Sequence, residues 1–344
     1  MSETVTAPMP LTAKDFSTDQ EVRWCPGCGD YSILAQVQKV MPTLGIPREN
    51  FVIISGIGCS SRFPYYMNTY GMHSIHGRAT AIASGLKASR PELSIWIVTG
   101  DGDCLSIGGN HTIHLLRRNF DVNLLLFNNE IYGLTKGQYS PTSEQQKITK
   151  STPVGSIDHP FNPSALALGA DASFVARTMD RDPKHLQSML LKAHEHKGAS
   201  FLEIYQNCNI FNDGAFEIFT EKKSKPEEAL FLEHGQPLVF GAARNKGIQL
   251  QGLRPVVVEL NGNVSENDLW IHDENDFYKA QILTRLFDDP KREHHFPRPF
   301  GVFFQTERPC YEDVMAMQVE EAQARGKGDL DKLLRGRETW SISE

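Results

Sequence analysis

Oxygen-bearing side chains follow two predicted strands near the middle of the chain. Gly100-Asp101-Gly102-Asp103 comes directly after the apolar run at residues 95–98, and Asn129 follows the run at 122–127. Parallel strands bring their carboxyl ends to one edge of a sheet, so Asp101 and Asn129 are expected to lie close together. Their oxygens suit Mg²⁺, which fills its remaining positions with water and phosphate, and a helix N-terminus beside Gly102 favours the same phosphates. The alternative is an ordinary Gly-Asp turn, because short motifs are weak signals.

Four cysteines form a second candidate site. Cys25 and Cys28 make a tight Cys-x-x-Cys pair, Cys59 lies in a glycine-rich turn after a predicted strand, and Cys208 lies just after another. The WCPGC segment differs by one transposition from a thioredoxin-like redox centre, so a reactive thiol pair is one interpretation. Tetrahedral Zn²⁺ and a [4Fe–4S] cluster are the others, and the single tight pair favours the cluster.

Alternating strands and helices are predicted to position these residues. Strands are expected at residues 51–54, 95–98, 122–127, 174–177 and 200–205, and helices at 31–41, 79–88, 105–119, 164–168 and 183–196, with Asp30 as the N-cap of the first. This alternation predicts an α/β fold, a doubly wound and mostly parallel sheet. The polar loop at 137–163 is long enough to be functional or mobile.

The pattern also predicts three regions along the chain. Residues 1–22 are polar and are expected to form an N-terminal arm, and residues 23–220 carry the α/β pattern. Residues 221–344 follow as a C-terminal extension, with one surface helix expected over 311–334. We expect this extension to cover the site, a partner subunit, or both.

Composition excludes several classes of function. The chain has 344 residues, a net charge of −7, 40% hydrophobic residues and no basic block, which argues against nucleic-acid binding. No apolar run approaches the ~20 residues that span a membrane, and the N-terminus lacks the apolar core of a signal peptide. A cytoplasmic protein is expected, so its cysteines should be thiols or metal ligands, not disulfides.

Six motifs occur in a recognisable order: WCPGCG, GIGCSS, HGRA, GDGD, NNEIYGLTKGQ and QNCNIFN. Together they resemble the β subunit of 2-oxoacid:ferredoxin oxidoreductases over roughly residues 23–220. The resemblance implies the thiamine-diphosphate-binding type of α/β fold. It also implies three cofactors, namely thiamine diphosphate, Mg²⁺ and one [4Fe–4S] cluster. The chain lacks a ferredoxin-type C-x₂-C-x₂-C-x₃-C run, which agrees with a single cluster.

The resemblance also assigns residues. Cys25, Cys28, Cys59 and Cys208 would bind the cluster, while Asp101, the Asn129 side chain and the Ile131 carbonyl would bind Mg²⁺. The implied cofactor-binding set is Gly58, Cys59, Ile75, His76, Gly100, Asp101, Gly102, Asp103, Asn129, Ile131, Gly133, Leu134 and Thr135. His76 would act at the diphosphate or the reacting centre, although a helix-capping histidine is an equal alternative. Cys104 follows the GDGD turn and could touch the cofactor, with a small buried side chain as the favoured alternative, and Cys310 is assigned no role.

Part of the active site is expected to come from another chain. Thiamine enzymes activate the aminopyrimidine ring with a carboxylate from a different domain, and this sequence shows no second α/β domain. The resemblance therefore implies an α subunit, in an α2β2 complex, with coenzyme A and ferredoxin as further partners. Two other classes remain open: a non-oxidative thiamine-dependent decarboxylase or synthase, and a zinc-stabilised scaffold.

Two cations point to the substrate. Arg62 follows the Cys59 turn, and Lys136 lies within GLTKGQ. A buried cation needs a partner, and the distal carboxylate of 2-oxoglutarate would supply one, whereas the methyl group of pyruvate would not. We therefore expect 2-oxoglutarate as substrate and succinyl-CoA as product, with pyruvate or a broad range of 2-oxoacids as the alternative. Acidic residues of the α subunit are the other candidate partners of Arg62 and Lys136.

Overall fold

The computed structural model of the protein describes residues 11–287, 296–340 and 342. Residues 1–10 of the predicted arm, and residues 288–295, 341, 343 and 344 of the predicted extension, lie outside the described residues. The helices of the described ranges are α1 (Asp30–Val40), α2 (Ala79–Ser89), α3 (Asp101–Leu105), α4 (Gly109–Arg118), α5 (Pro163–Gly169), α6 (Pro183–Glu195), α7 (Glu217–Thr220), α8 (Lys225–Glu228), α9 (Phe277–Leu283), α10 (Tyr311–Ala324) and α11 (Leu330–Arg335). None of these helices is long and apolar enough to cross a membrane.

The strands form two sheets. They are β1 (Phe51–Ser55), β2 (Tyr70–His73), β3 (Ser94–Gly100), β4 (Val122–Asn128), β5 (Phe174–Met179), β6 (Ala199–Tyr205), β7 (Ala229–Phe231), β8 (Val239–Phe240), β9 (Lys246–Gln251), β10 (Arg254–Glu259) and β11 (Arg298–Gln305). The eight-stranded sheet has the order β2-β1-β3-β4-β6-β5-β11-β7, and only its β5–β11 pair is antiparallel. This confirms the predicted doubly wound, mostly parallel sheet.

Helices cover both faces of the large sheet. Successive residues of a strand point to opposite faces, so each buried strand contributes to two cores. On β3, Trp96 and Val98 pack in a core with α1 and α6. Ile95 and Ile97 pack in the other core with α2 and α4. The carboxyl ends of β1, β3, β4 and β6 therefore meet at one edge, held from both sides by apolar packing.

Two predicted helix boundaries were wrong near the site. The helix expected over 105–119 is divided into α3 and α4, because the chain at Gly108 packs closely against Gly77: a Cβ atom at Gly77 would lie 2.5 Å from the Gly108 nitrogen. The first of these helices begins at Asp101, earlier than expected. Asp30 does not cap α1 as expected, because Gly29 is the N-cap and Asp30 is buried within the first turn.

The C-terminal part adds strands that the sequence pattern did not indicate. β7 and β11 complete the large sheet, while β8, β9 and β10 form a separate three-stranded antiparallel sheet. The single surface helix expected over 311–334 is two helices, α10 and α11, with Gly326 and Gly328 between them. Because strands on both sides of residue 220 share one sheet, the domain boundary at that residue stays a prediction.

A buried ion pair supports the edge that carries Asn129. Arg177 of β5 donates to Glu203 of β6 at 2.8 Å, and the two side chains are 1% and 0% exposed. The other Glu203 oxygen accepts a hydrogen bond of 2.8 Å from the Asn128 side chain. Glu203 thus links the ion pair to Asn128, the residue next to Asn129.

Removing the cation of this pair should destabilise the fold strongly. We expect Arg177→Met to lower the free energy of unfolding by about 3–5 kcal/mol, because the Glu203 charge stays buried without its cation. Urea unfolding followed by circular dichroism measures the loss. The double variant Arg177→Met/Glu203→Leu removes both charges and should recover part of it; equal losses in the two proteins would contradict this account.

Candidate functional site

Asp101 lies at the carboxyl end of β3 in a polar, solvent-excluded position. It is 2% exposed, and its Oδ2 atom accepts hydrogen bonds from Ser140 at 2.5 Å and Thr142 at 2.6 Å. Burial raises the pKa of the Asp101 carboxyl above its ordinary value, and the hydrogen bonds from Ser140 and Thr142 oppose that rise. Both hydroxyl groups bind Oδ2, so neither of them occupies the second carboxylate oxygen.

The sequence pattern did not indicate that Ser140 and Thr142 belong to the site. They belong to the long polar loop after β4, which was expected only to be functional or mobile. The available signal was its run of hydroxyl side chains, Ser140-Pro141-Thr142-Ser143, although nothing in the sequence indicates which carboxylate they reach. Thr142 also donates to the Asn128 side chain at 3.0 Å, which ties the loop to both strand ends.

Asn129 and Ile131 complete a set of oxygen ligands beside Asp101. The Asn129 Oδ1 atom accepts from the Ile131 amide at 3.2 Å, and Glu130 between them has a left-handed φ of 57°. This tight turn keeps the Asn129 amide oxygen and the Ile131 carbonyl near each other. Among the described residues, none donates a hydrogen bond to the Ile131 carbonyl. One carboxylate oxygen and two neutral oxygens are the donor types that Mg²⁺ prefers, so these residues fit that ion.

Asp103 holds the turn that carries His76. Its carboxylate accepts from the Gly77 amide at 2.8 Å and from the Thr99 hydroxyl at 3.1 Å. Ile75 and His76 are exposed in this chain. Asp103 therefore contacts protein groups that position the turn. The cofactor contacts of Ile75, His76 and Asp103 stay predictions.

The Tyr132 side chain fixes the start of α3. Its hydroxyl donates to the Gly102 carbonyl at 3.2 Å, and a Cβ atom at Gly102 would lie 2.1 Å from the Tyr132 ring. Only glycine fits between the ring and the helix. Gly100, Gly102 and Ile131 are thus brought to one edge of the sheet, as the motif predicted.

The Cys-x-x-Cys turn is fastened to the segment that carries Cys59. The Cys28 amide donates to the Cys25 carbonyl at 3.0 Å, which closes the turn. The preceding Trp24 indole donates to the Cys59 carbonyl at 2.6 Å. Trp24 is 6% exposed and packs edge-on against Tyr66, so this attachment is part of the apolar core.

The same turn is fastened to the segment that carries Cys208. The Gly29 amide donates to the Asn207 carbonyl at 3.1 Å, and the Asn209 side chain donates to the Pro26 carbonyl at 2.6 Å. Residues on both sides of Cys208 therefore bind the Cys-x-x-Cys turn. The structure brings together the three segments that contain the four predicted cluster ligands.

Gly133 leaves a cradle beside two of the sulfurs. A Cβ atom at Gly133 would lie 3.5 Å from Cys208 Sγ and 3.7 Å from Cys59 Sγ. Burial raises the pKa of the Cys59 thiol to about 12 and also raises the pKa of the Cys28 thiol. Such thiols stay protonated at neutral pH unless a metal replaces the proton. The donor set and the cradle fit an iron–sulfur cluster, whose irons each bind one thiolate.

The six cysteines differ in their exposure and in their neighbours. Cys25 is exposed, and Cys28, Cys59 and Cys208 are half-buried. Within the described part of the chain, no three His, Cys, Asp or Glu side chains lie close enough to share a single metal ion. Cys104 is buried and its thiol lies 3.2 Å from the Thr112 hydroxyl, and Cys310 is buried at the start of α10.

A pocket of about 500 Å³ opens next to this edge, and Gly58, Arg62, His73 and Leu134 are among the residues that line it. Among the described residues, no carboxylate lies within 4.0 Å of the Arg62 guanidinium. Lys136, on the loop after Leu134, is exposed and is not among the lining residues. Arg62 thus lines the pocket without an ion-pair partner among the described residues, whereas the substrate roles of Arg62 and Lys136 stay predictions.

Comparisons with known proteins identify the family to which this chain belongs. Residues 56–204 match the family described as thiamine pyrophosphate enzyme, C-terminal TPP binding domain. The 2-oxoglutarate oxidoreductase subunit KorB of Mycobacterium tuberculosis is 52% identical over 98% of this chain and 90% of the relative. The 2-oxoacid:ferredoxin oxidoreductase 1, subunit beta, of Aeropyrum pernix is 45% identical over 58% of this chain and 62% of the relative.

A solved structure gives the same result for nearly the whole chain. The 2-oxoglutarate:ferredoxin oxidoreductase from Magnetococcus marinus, with 2-oxoglutarate, coenzyme A and succinyl-CoA bound, superposes with a TM-score of 0.75 at 31% identity. The match covers 95% of this chain and 96% of the solved one. The chain therefore belongs to the β subunits of the 2-oxoacid:ferredoxin oxidoreductase family and contains their thiamine-diphosphate-binding domain.

Proposed function

We propose that this chain is the β subunit of a cytoplasmic 2-oxoglutarate:ferredoxin oxidoreductase. In the forward direction, 2-oxoglutarate and coenzyme A give succinyl-CoA, CO₂, one proton and two electrons, and ferredoxin accepts the electrons singly. The same chemistry allows the reverse carboxylation. An α subunit supplies the carboxylate that activates the thiamine and completes an α2β2 complex.

The observation that carries the proposal is the position of the cysteines relative to the Mg²⁺ ligands. Gly133, which cradles Cys59 and Cys208, is only two residues beyond Ile131. The proposed four-thiolate site would therefore adjoin the edge that would hold the diphosphate. Such proximity serves a reaction that removes electrons from the substrate, and a non-oxidative decarboxylase has no use for it.

The residues of this chain would divide the work as follows. Asp101, Asn129 and the Ile131 carbonyl would hold Mg²⁺, while Ser140 and Thr142 keep the Asp101 carboxylate in place. Cys25, Cys28, Cys59 and Cys208 would hold the [4Fe–4S] cluster. When bound, thiamine diphosphate supplies the decarboxylation chemistry and the cluster accepts single electrons.

Anaerobic co-expression with an α subunit tests the whole proposal. The purified complex should contain thiamine diphosphate, iron and sulfide, and should reduce ferredoxin or a viologen dye when 2-oxoglutarate and coenzyme A are added. Iron-free protein that still binds thiamine diphosphate would favour a non-oxidative thiamine enzyme. Stoichiometric zinc without thiamine diphosphate would favour a scaffold.

The substrate assignment rests on Arg62. Arg62 lines a pocket that Gly58 and Leu134 also line, and Tyr65 and His73 add polar groups. A distal carboxylate can accept two parallel hydrogen bonds from a guanidinium, whereas a methyl group leaves the charge without a partner. We propose that Arg62 binds the distal carboxylate of 2-oxoglutarate, with Lys136 as a second cation from the neighbouring loop.

Removing either cation should affect 2-oxoglutarate more than pyruvate. We expect Arg62→Ala and Lys136→Ala each to lower kcat/KM for 2-oxoglutarate by roughly 10- to 1000-fold, the loss for one or two charged hydrogen bonds. Activity on pyruvate should fall much less in both variants. Steady-state dye reduction at low concentrations of each 2-oxoacid measures the difference.

Arg23 offers a matched control in the same pocket. It also lines the pocket, but its guanidinium is exposed and already pairs with Glu21 at 2.8 Å. Arg23→Ala should therefore change the ratio of 2-oxoglutarate to pyruvate activity far less than Arg62→Ala. A wild-type complex that turns over pyruvate faster than 2-oxoglutarate at equal low concentration would overturn the substrate assignment.

A further inference from the structure

The Gln206 side chain joins the two proposed cofactor sites. It lies directly after β6 and is 1% exposed. Its Oε1 atom accepts a hydrogen bond of 2.8 Å from the side-chain amino group of Asn129. Its Nε2 atom lies 3.3 Å from Cys28 Sγ, at hydrogen-bonding distance for a sulfur acceptor. One side chain thus contacts a proposed Mg²⁺ ligand and a proposed cluster ligand.

The orientation of the Gln206 amide follows from its neighbours. Nε2 also donates to the Asn207 carbonyl at 2.6 Å, and a carbonyl oxygen can only accept. The amino end must therefore face Asn207 and Cys28, and the oxygen must face Asn129. The Gln206 backbone amide donates to the Asn128 carbonyl at 2.9 Å, which holds the residue against the end of β4.

This arrangement positions Asn129. The Asn129 amino group is directed to Gln206, so its Oδ1 atom faces the other way, where it accepts from the Ile131 amide. That is the oxygen proposed to bind Mg²⁺. Residues that orient metal ligands in this manner typically change metal affinity by ~10- to 100-fold when they are replaced.

The contact with Cys28 should affect the reduction potential of the cluster. An N–H group that donates to a cluster sulfur stabilises the reduced cluster, which carries one more negative charge, and so raises its reduction potential. Gln206 is buried, so water does not screen this contact or readily replace the missing donor.

We propose that Gln206 is a positioning residue with two effects: it directs the Asn129 oxygen to Mg²⁺, and it raises the reduction potential of the cluster through Cys28. This inference rests on the proposed function, because it requires both cofactors. It assigns to one side chain the task of holding the thiamine site and the cluster in fixed positions relative to each other.

Two substitutions separate the two effects. Gln206→Met removes the donor and the acceptor at similar volume. Gln206→Glu keeps an acceptor for Asn129 and replaces the amino group, which faces Cys28, by an oxygen. Both variants are prepared as the anaerobic holo-complex with the α subunit. The cluster potential is measured by redox titration with electron paramagnetic resonance, and thiamine diphosphate affinity by equilibrium binding at fixed Mg²⁺.

In both variants we expect the equilibrium constant for one-electron reduction of the cluster to fall about tenfold, which corresponds to ~59 mV. Thiamine diphosphate affinity should fall about tenfold in Gln206→Met and much less in Gln206→Glu. Gln36 is a matched control, because it is a buried glutamine, 4% exposed, whose amide hydrogen-bonds Ser32 and Gln187 away from both sites. Gln36→Met should change neither quantity.

The outcomes that oppose the inference differ from those that oppose the proposed function. Wild-type complex without iron or thiamine diphosphate would overturn the proposed function itself. Wild-type complex that contains both, with an unchanged cluster potential in the two Gln206 variants, would overturn only the role of Gln206. Complete loss of the cluster in both variants would do the same, because one hydrogen bond to sulfur is not expected to decide cluster assembly.

Discussion

Asp101→Ala is expected to abolish the co-purification of thiamine diphosphate while the brown cluster remains. Asp101 is the one charged ligand proposed for Mg²⁺, and its Oδ2 atom is held by Ser140 and Thr142. Losing the charged ligand should weaken cofactor binding by at least about 100-fold, or ~3 kcal/mol, because the metal would face the diphosphate with neutral oxygens alone. Titration of the complex with thiamine diphosphate at several Mg²⁺ concentrations measures the effect.

Asp101→Asn distinguishes the charge of this side chain from its shape. The amide retains an oxygen that can accept from Ser140 or Thr142, and it fits the same buried volume. If the charge matters, affinity should fall in this variant almost as far as in Asp101→Ala, and higher Mg²⁺ should restore part of it. Unchanged affinity in Asp101→Ala would remove this residue from the metal site and leave GDGD as an ordinary helix start.

Cys208→Ala should lose the broad visible absorbance of an iron–sulfur cluster, or retain a damaged cluster with less iron. Cys208 and Cys59 face the same cradle at Gly133, so a missing thiolate leaves one iron without a protein ligand on that side. The same result is expected for alanine at Cys25, Cys28 and Cys59. Iron and sulfide content, with electron paramagnetic resonance of the reduced protein, measures the loss.

Cys310→Ala is the control for these cysteine variants. Cys310 is also a free cysteine, but it is buried at the start of α10 and belongs to none of the three segments at the cluster site. Its replacement should leave iron content unchanged. A full cluster in Cys208→Ala protein would exclude that residue as a ligand, and thiamine diphosphate retained in the same variant would show that the two sites load separately.

The local sequence motifs predicted most of the proposed ligand residues. Asp101 and Asn129 each end an apolar run, and a run of that kind becomes a buried parallel strand wherever it lies in the sheet. The sheet therefore had to place both residues at its carboxyl edge, and the structure does so. Similarly, Cys25 and Cys28 share one turn because only two residues separate them.

The sequence could not determine the contacts between distant segments of the chain. Ser140 binds a carboxylate 39 residues away, and Gln206 contacts Cys28 across 178 residues. Periodicity and propensity describe neighbours along the chain, so they assign no partner to a lone hydroxyl or amide. The sequence by itself thus determined the parallel strands, the oxygen ligands at their ends and the cysteine pair. Only the tertiary structure decided how β7 and β11 complete the sheet, which side chains hold Asp101, and that Gln206 lies between the two sites, because these features depend on how separate elements pack.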